Sequence, residues 1–327
     1  MIFDLHCDTV YEIRKAKLNA KSVSLKKSNL QIDEGKLLSG NYMAQCFAIW
    51  ANVREENPYR LSKQLIKTYY KELEGCNEIY PALSYADILK NREDGKISAI
   101  LTLEDGAPLG KDMDRLDEFI NLGVRMICLV WNYPNDIAYP NFTRYFSDGA
   151  RGVNRPNEKE GLTKFGRELV RRMNKLGVIV DVSHISDAGF FEVADISEKP
   201  IVASHSNARA LCPHPRNLSD GMLRKIAECC GVIGINYEAS FLNSDKNLGA
   251  KTVPRVTEHV KYIGNLIGYD YIALGSDFDG IGRNIELEYA SDLPKLITFL
   301  EKEGFADNVI EKITCQNALR VFRDCIN

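Results

Sequence analysis

Residues 161–206 read GLTKFGRELVRRMNKLGVIVDVSHISDAGFFEVADISEKPIVASHS, and the alternation within them decides the fold. Leu162, Phe165, Leu169, Val170, Met173 and Leu176 recur at helical spacing, and Gly177 then supplies a stop. Val178–Val182 follows as a short, nearly unbroken apolar run, the pattern of a strand covered on both faces. Ser186–Val193 returns to helical spacing, and Pro200–Ser204 is again a strand. Both strands run out into Ser-His, at His184 and His205.

The same alternation continues in both directions. Ile2–Leu5, Tyr42–Ile49, Ile97–Leu103, Arg125–Val130, Gly231–Asn236 and Tyr271–Ser276 complete a set of eight strand candidates, while Val256–Ile267 and Leu293–Leu300 read as helices. Eight strand-then-helix units imply a parallel sheet closed on itself, an α/β fold of the (β/α)8 TIM-barrel type with additional helices. The 327 residues exceed the roughly 250 that such a barrel needs, which leaves room for those helices. With no internal repeat and no linker-like stretch, residues 1–327 are expected to form one domain. Asn132–Glu160 is rich in Asn, Pro, Asp and Gly, and is expected to lie over the barrel mouth as a lid.

Composition removes several function classes. The 42 basic and 45 acidic residues leave a formal charge of −3, too small to steer nucleic acid or an anionic membrane surface. No apolar run approaches the roughly 18 residues that span a bilayer. The chain opens Met1-Ile2-Phe3-Asp4, so no signal peptide is expected, and its nine cysteines are scattered without CxxC spacing. Reduced thiols and a cytoplasmic location follow as the expectation. No patch in the sequence requires self-association, and a homodimer stays open.

The strand ends carry the chemistry. The first runs into Leu5-His6-Cys7-Asp8, where positions i and i+2 of an extended chain point the same way. The third ends in Leu103-Glu104-Asp105-Gly106 and the eighth in Gly275-Ser276-Asp277-Phe278-Asp279-Gly280. All lie at the C-terminal ends of strands, the face on which this barrel builds active sites. A single histidine after a strand is ordinarily a hydrogen-bonded core or surface residue. Here three of the five histidines in the chain end strands, alongside an HxD pattern, and that convergence selects a metal site. Imidazole and carboxylate ligands without a thiolate cluster suit zinc or a similar divalent ion. His6, Asp8, Glu104, His184 and His205 are too many for one tetrahedral catalytic ion, and suit two zinc ions about 3.5–4 Å apart. The expected arrangement has His6 and Asp8 on one ion, His184 and His205 on the other, and Glu104 bridging. A water shared by two cations becomes the nucleophile, and Asp277 is the natural general base. Arg216 reads either as a surface arginine or as a bidentate clamp for a substrate carboxylate. Cys7 reads as a packing residue, Asp105 and Asp279 as turn or supporting residues, and His214 and His259 as structural.

Taken together, Asp4-Leu5-His6-Cys7-Asp8, Leu103-Glu104-Asp105-Gly106, Asp181-Val182-Ser183-His184, Ser204-His205-Ser206-Asn207-Ala208, Arg216-Asn217 and Gly275-Ser276-Asp277-Phe278-Asp279-Gly280 resemble the membrane (renal) dipeptidases, peptidase family M19. The resemblance covers nearly the whole chain. It implies the same ligand division, Arg216 on the substrate's terminal carboxylate, and Asp277 in proton transfer. It implies hydrolysis of dipeptides, often with a D-residue at the C-terminal position, while some members act on N-acyl-D-amino acids. Two features depart from the family. Where well-studied members carry a histidine after the fourth strand this chain has Trp131, so that Asn132 or Tyr133 would supply the donor or the substrate range would differ, and the secretion signal and lipid-anchor tail of the mammalian enzymes are not expected here. Asn132 and Tyr237 join Arg216 as substrate-binding candidates. The alternatives are an N-acyl-D-amino-acid amidohydrolase, a lactonase or amidase of the wider amidohydrolase group, or an inactive metal-binding scaffold.

Overall fold

The computed structural model describes residues 1–142, 155–243, 252–283 and 286–326. Its strands are β1 (Ile2–Asp4), β2 (Tyr42–Trp50), β3 (Ile79–Pro81), β4 (Ile97–Glu104), β5 (Val124–Cys128), β6 (Ile179–Asp181), β7 (Val202–Ala203), β8 (Val232–Ile235) and β9 (Ile272–Leu274). All pairings are parallel. β1 pairs with β2 and β9, and β2 pairs with β4, which closes eight strands into a ring with helices around it, the expected (β/α)8 barrel.

The ninth strand is the addition. β3 pairs with Ile97–Ala99, the start of β4, on the edge that β5 takes over from Leu101 onward. Three residues are too few for side-chain periodicity to announce a strand. Several barrel strands are also shorter than their apolar runs predict. In β7 the amide of Ser204 leaves the ladder and donates to Asp181 Oδ1 (3.0 Å), as does that of Ser183 (2.9 Å). The chain therefore bends out of the sheet where the ligand-bearing residues begin.

The helix after residue 161 runs Lys164–Leu176, two residues later than the spacing predicts. Thr163 takes the cap position, its Oγ1 accepting from the Gly166 amide (3.0 Å), and Leu162 is buried in a bridge to Ala138 instead. Gly177 ends the helix in the left-handed conformation (φ +71°) that favours glycine. Outward-facing strand residues such as Phe47, Leu101, Ile127 and Val180 pack beneath the helices. Alternate residues, among them Ile100, Met126, Ile179 and Val232, form a second cluster with Phe3. The C-terminal helix Asn317–Cys325 closes that end, with Phe322 4.9 Å from the Phe3 ring. The opposite end is left as the mouth.

Of the expected lid, Ala138, Pro140 and Phe142 are bridged to Leu162, Ile185 and Pro156, so this part runs along the mouth. The rest, 143–154, lies outside the described residues.

Candidate active site

Strand ends bring His6, Asp8, Glu104, His184, His205 and Asp277 together at the mouth, all buried. His6 Nε2 lies 3.5 Å from Asp8 Oδ2, 3.5 Å from Glu104 Oε2 and 3.9 Å from Asp277 Oδ1. The other Glu104 oxygen, Oε1, faces His184 Nε2 (3.1 Å) and His205 Nε2 (3.6 Å), and those two nitrogens are 3.0 Å apart. The turns that aim these groups are tight. His184 (φ +67°) and Asp277 (φ +63°) both adopt a left-handed backbone that a side-chain-bearing residue holds only at a cost. Gly280 is required by space, because a Cβ there would collide with Asp8 Oδ2 and Asp277 Oδ1.

The donor set fits a metal. His6 Nε2 and Asp8 Oδ1 are buried without a hydrogen-bond partner among the described residues, and buried polar atoms are rarely left so. His205 Nδ1 donates to Ser204 Oγ (2.7 Å), which in turn donates to Asp181 Oδ2 (2.5 Å). His184 Nδ1 donates to Asn132 Oδ1 (2.9 Å). With both Nδ1 atoms carrying the proton, both Nε2 atoms present lone pairs toward Glu104, the arrangement a cation needs. Two ligand groups form: His6, Glu104 and His205, and His6, Asp8 and Asp277.

Electrostatics follow from burial. Desolvation, with the charges of Arg216 and His6 nearby, pushes His184 and His205 well below the ordinary histidine value, so both are neutral. Burial also opposes charge on His6, but the adjacent Glu104 and Asp8 carboxylates outweigh it and hold the ring well above its usual value. Burial and the nearby Asp8 charge raise Glu104 to about 8, and burial raises Asp277 to about 7. Without metal these carboxyls hold protons that unfolding would release, a stabilisation that is lost as pH rises through the folded values. The depressed histidines act oppositely, but only below about pH 7, where the unfolded chain would protonate them. Chelator-treated protein is therefore expected to lose thermal stability between about pH 7 and 8.5, and zinc to restore it. A melting temperature that stays flat over that window in chelator would contradict this account.

A cavity of about 480 Å³ opens above the cluster, lined also by Tyr11, Trp50, Trp131, Asn132, Arg216 and Phe241. The Arg216 guanidinium is buried, donating to the His205 carbonyl (3.0 Å) and Ser206 Oγ (3.4 Å), with Nε left without a partner among the described residues. Asn132 lines the cavity while its carbonyl oxygen holds His184. Tyr237 is not brought to the cavity. Asn236 faces the barrel interior, so its successor points outward, fully buried and edge-on to Phe278 (5.8 Å).

Asn236 is a site residue that the sequence reading missed. Its Nδ2 donates to Asp277 Oδ2 (2.9 Å) and its Oδ1 accepts from the Glu238 amide (2.6 Å). Its place at the end of the predicted strand Gly231–Asn236, on the face where the ligand candidates gather, was the available signal. Asp105 and Asp279 act as turn residues: Asp105 accepts from the Ala107 amide (2.9 Å), and Asp279 from Thr9 Oγ1 (2.6 Å) and the Gln31 amide (2.7 Å). His259 is structural, accepting from the Ala208 amide and donating to the Leu242 carbonyl (both 3.1 Å). His214 accepts from the Arg216 amide (3.2 Å) but also lines the cavity, so a purely structural reading of it is too narrow.

Comparison with known proteins meets this geometry from the other side. The family model described as membrane dipeptidase (peptidase family M19) matches residues 1–326. The chain is 36% identical over 265 residues to an uncharacterised Klebsiella pneumoniae protein from the pqqA 5′ region, covering 80% of this chain and 92% of that one. It is 30% identical over 306 residues to dipeptidase aclJ of Aspergillus oryzae, covering 90% and 70% respectively. Among solved structures, a Rhodobacter sphaeroides metallopeptidase liganded with a phosphinate mimic of L-Ala-D-Ala superposes with a TM-score of 0.89, at 25% identity and 99% coverage of both chains. The chain belongs to the membrane dipeptidase family, peptidase family M19, and is a metallo-dipeptidase.

Proposed function

We propose that the protein is a binuclear zinc dipeptidase that cleaves short substrates with a free carboxylate, including dipeptides with a D-residue at the C-terminal position. The observation that carries the two-ion reading is the orientation of Glu104. One oxygen addresses the His6 side and the other the His184–His205 side, as a bridging carboxylate must. The mimic bound by the Rhodobacter protein supports the substrate class. Nine free cysteines support a reducing compartment, here the cytoplasm. Among the described residues no helix is long and apolar enough to cross a membrane.

When bound, the metal pair supplies an acidified water and polarises the scissile carbonyl. Arg216 takes the substrate carboxylate and sets which amide lies over the cluster. Asp277 accepts the proton released as the water oxygen joins the carbonyl carbon. It passes that proton to the amide nitrogen as the C–N bond breaks, leaving two amino acids. Asn236 keeps the Asp277 carboxylate aimed at the His6 side.

A screen of L-L, L-D and N-acyl-D substrates with zinc supplied tests the activity. Converting the terminal carboxylate of a good dipeptide to an amide, or making Arg216→Met, is expected to lower kcat/KM by about 100-fold or more, the scale of stranding a buried charge without its partner. Turnover indifferent to the amide would remove Arg216 from substrate binding.

A further inference from the structure

The cavity has two chemically distinct poles. Arg216 marks one, and the ring faces beside it are taken: Phe241 packs against His214 (4.5 Å) and lies 5.4 Å from the guanidinium. The other pole adjoins Asp8 and Glu104 and is walled by three rings from distant parts of the chain. Tyr11 meets Trp50 edge-on (4.8 Å, 90°), and Trp50 meets Trp131 edge-on (5.0 Å, 76°). Trp50 stands in register with Glu104 across β2 and β4, and Trp131 lies 6.2 Å from the His184 ring. Edge-on contacts leave ring faces for a further planar group. All three rings are only partly buried and line the cavity, as does Glu12 beside Tyr11.

With the terminal carboxylate on Arg216 and the scissile amide over the metal cluster, the remainder of a dipeptide lies at this second pole. Clamp and cluster together orient a dipeptide with its first residue against the rings. We infer that the Tyr11–Trp50–Trp131 wall is the subsite for the first side chain, and that it selects aromatic and large apolar residues there. This rests on the dipeptidase reading and on Arg216 as its carboxylate clamp.

The test compares kcat/KM for X-Ala with X as Gly, Ala, Leu and Phe, against the reversed Ala-X series. Phe-Ala is expected to exceed Gly-Ala by about 10- to 100-fold, the value of burying one large apolar side chain, with a smaller spread in the reversed series. Trp131→Ala should shrink the Phe-Ala to Gly-Ala ratio to about 3 or less, and Trp131→Phe should keep most of it. Ratios within one variant cancel any general loss of fold or turnover. Trp50 and Trp131 are the chain's two tryptophans, so its tryptophan emission reports this wall alone. In zinc-loaded Asp277→Asn protein, emission should saturate at lower Phe-Ala than Gly-Ala concentration. Dipeptides cleaved without preference for the first residue, or a ratio unmoved by Trp131→Ala, would overturn the subsite. Ordered emission changes without cleavage of any dipeptide would instead overturn the activity and leave the subsite standing.

Discussion

Glu104→Ala is expected to leave the protein folded, strip most of its bound metal and lower kcat by about 1000-fold or more, at the upper end of what one preorganised electrostatic group contributes. The size follows from position. Among the described residues, Glu104 is the one side chain whose two oxygens face the two histidine sets, and both assigned half-sites lose a donor with it. The fold should survive because, without metal, the contacts of this carboxylate with the His6 and His184 rings offset little more than the cost of burying it. Burial beside Asp8 raises its pKa to about 8, so its charge is costly in the metal-free state. Metal-free Glu104→Ala should therefore melt no lower than metal-free wild type near pH 8, while zinc should raise its melting temperature far less. Elemental analysis and thermal melts with chelator or zinc decide the matter. A variant that still binds two ions per chain would end the bridging assignment.

Asp277→Asn should do the opposite, keeping metal while losing about 100- to 10,000-fold in kcat, the range of a positioned proton-transfer group. The substitution is nearly isosteric, and the amide oxygen can still accept from Asn236 Nδ2. What disappears is the ability to take and return a proton. The alternative is real in the geometry, since Asp277 forms a compact donor group with His6 and Asp8. Metal loss matching that of Glu104→Ala would reassign Asp277 as a ligand. Full metal content with near-normal kcat would remove it from the reaction altogether.

The metal-site candidates were legible because each stands at the end of a strand whose apolar run is itself conspicuous. His184 and His205 follow Val178–Val182 and Pro200–Ser204 within two residues, and closure of the barrel then had to gather them at one end. Asn132, named as a donor to substrate, lines the cavity and in addition places its oxygen on His184 Nδ1, a contact that no local pattern announces. Tyr237 and Asn236 were exchanged. Neighbours on a strand point to opposite sides, and a one-residue error of register turns a site residue into a core residue.

By itself the sequence determined the alternation of strand and helix, the residue types at the strand ends and hence the metal chemistry, because these are local patterns written within a few residues. Only the tertiary structure decided direction and company. The left-handed turns at His184 and Asp277 aim the ligands, and the Ser204–Asp181 pair sets the proton on His205. The aromatic wall is assembled from positions 11, 50 and 131, and no local pattern links them. Closing the barrel brings such residues within contact, and the shape of the cavity they make is a property of that closure.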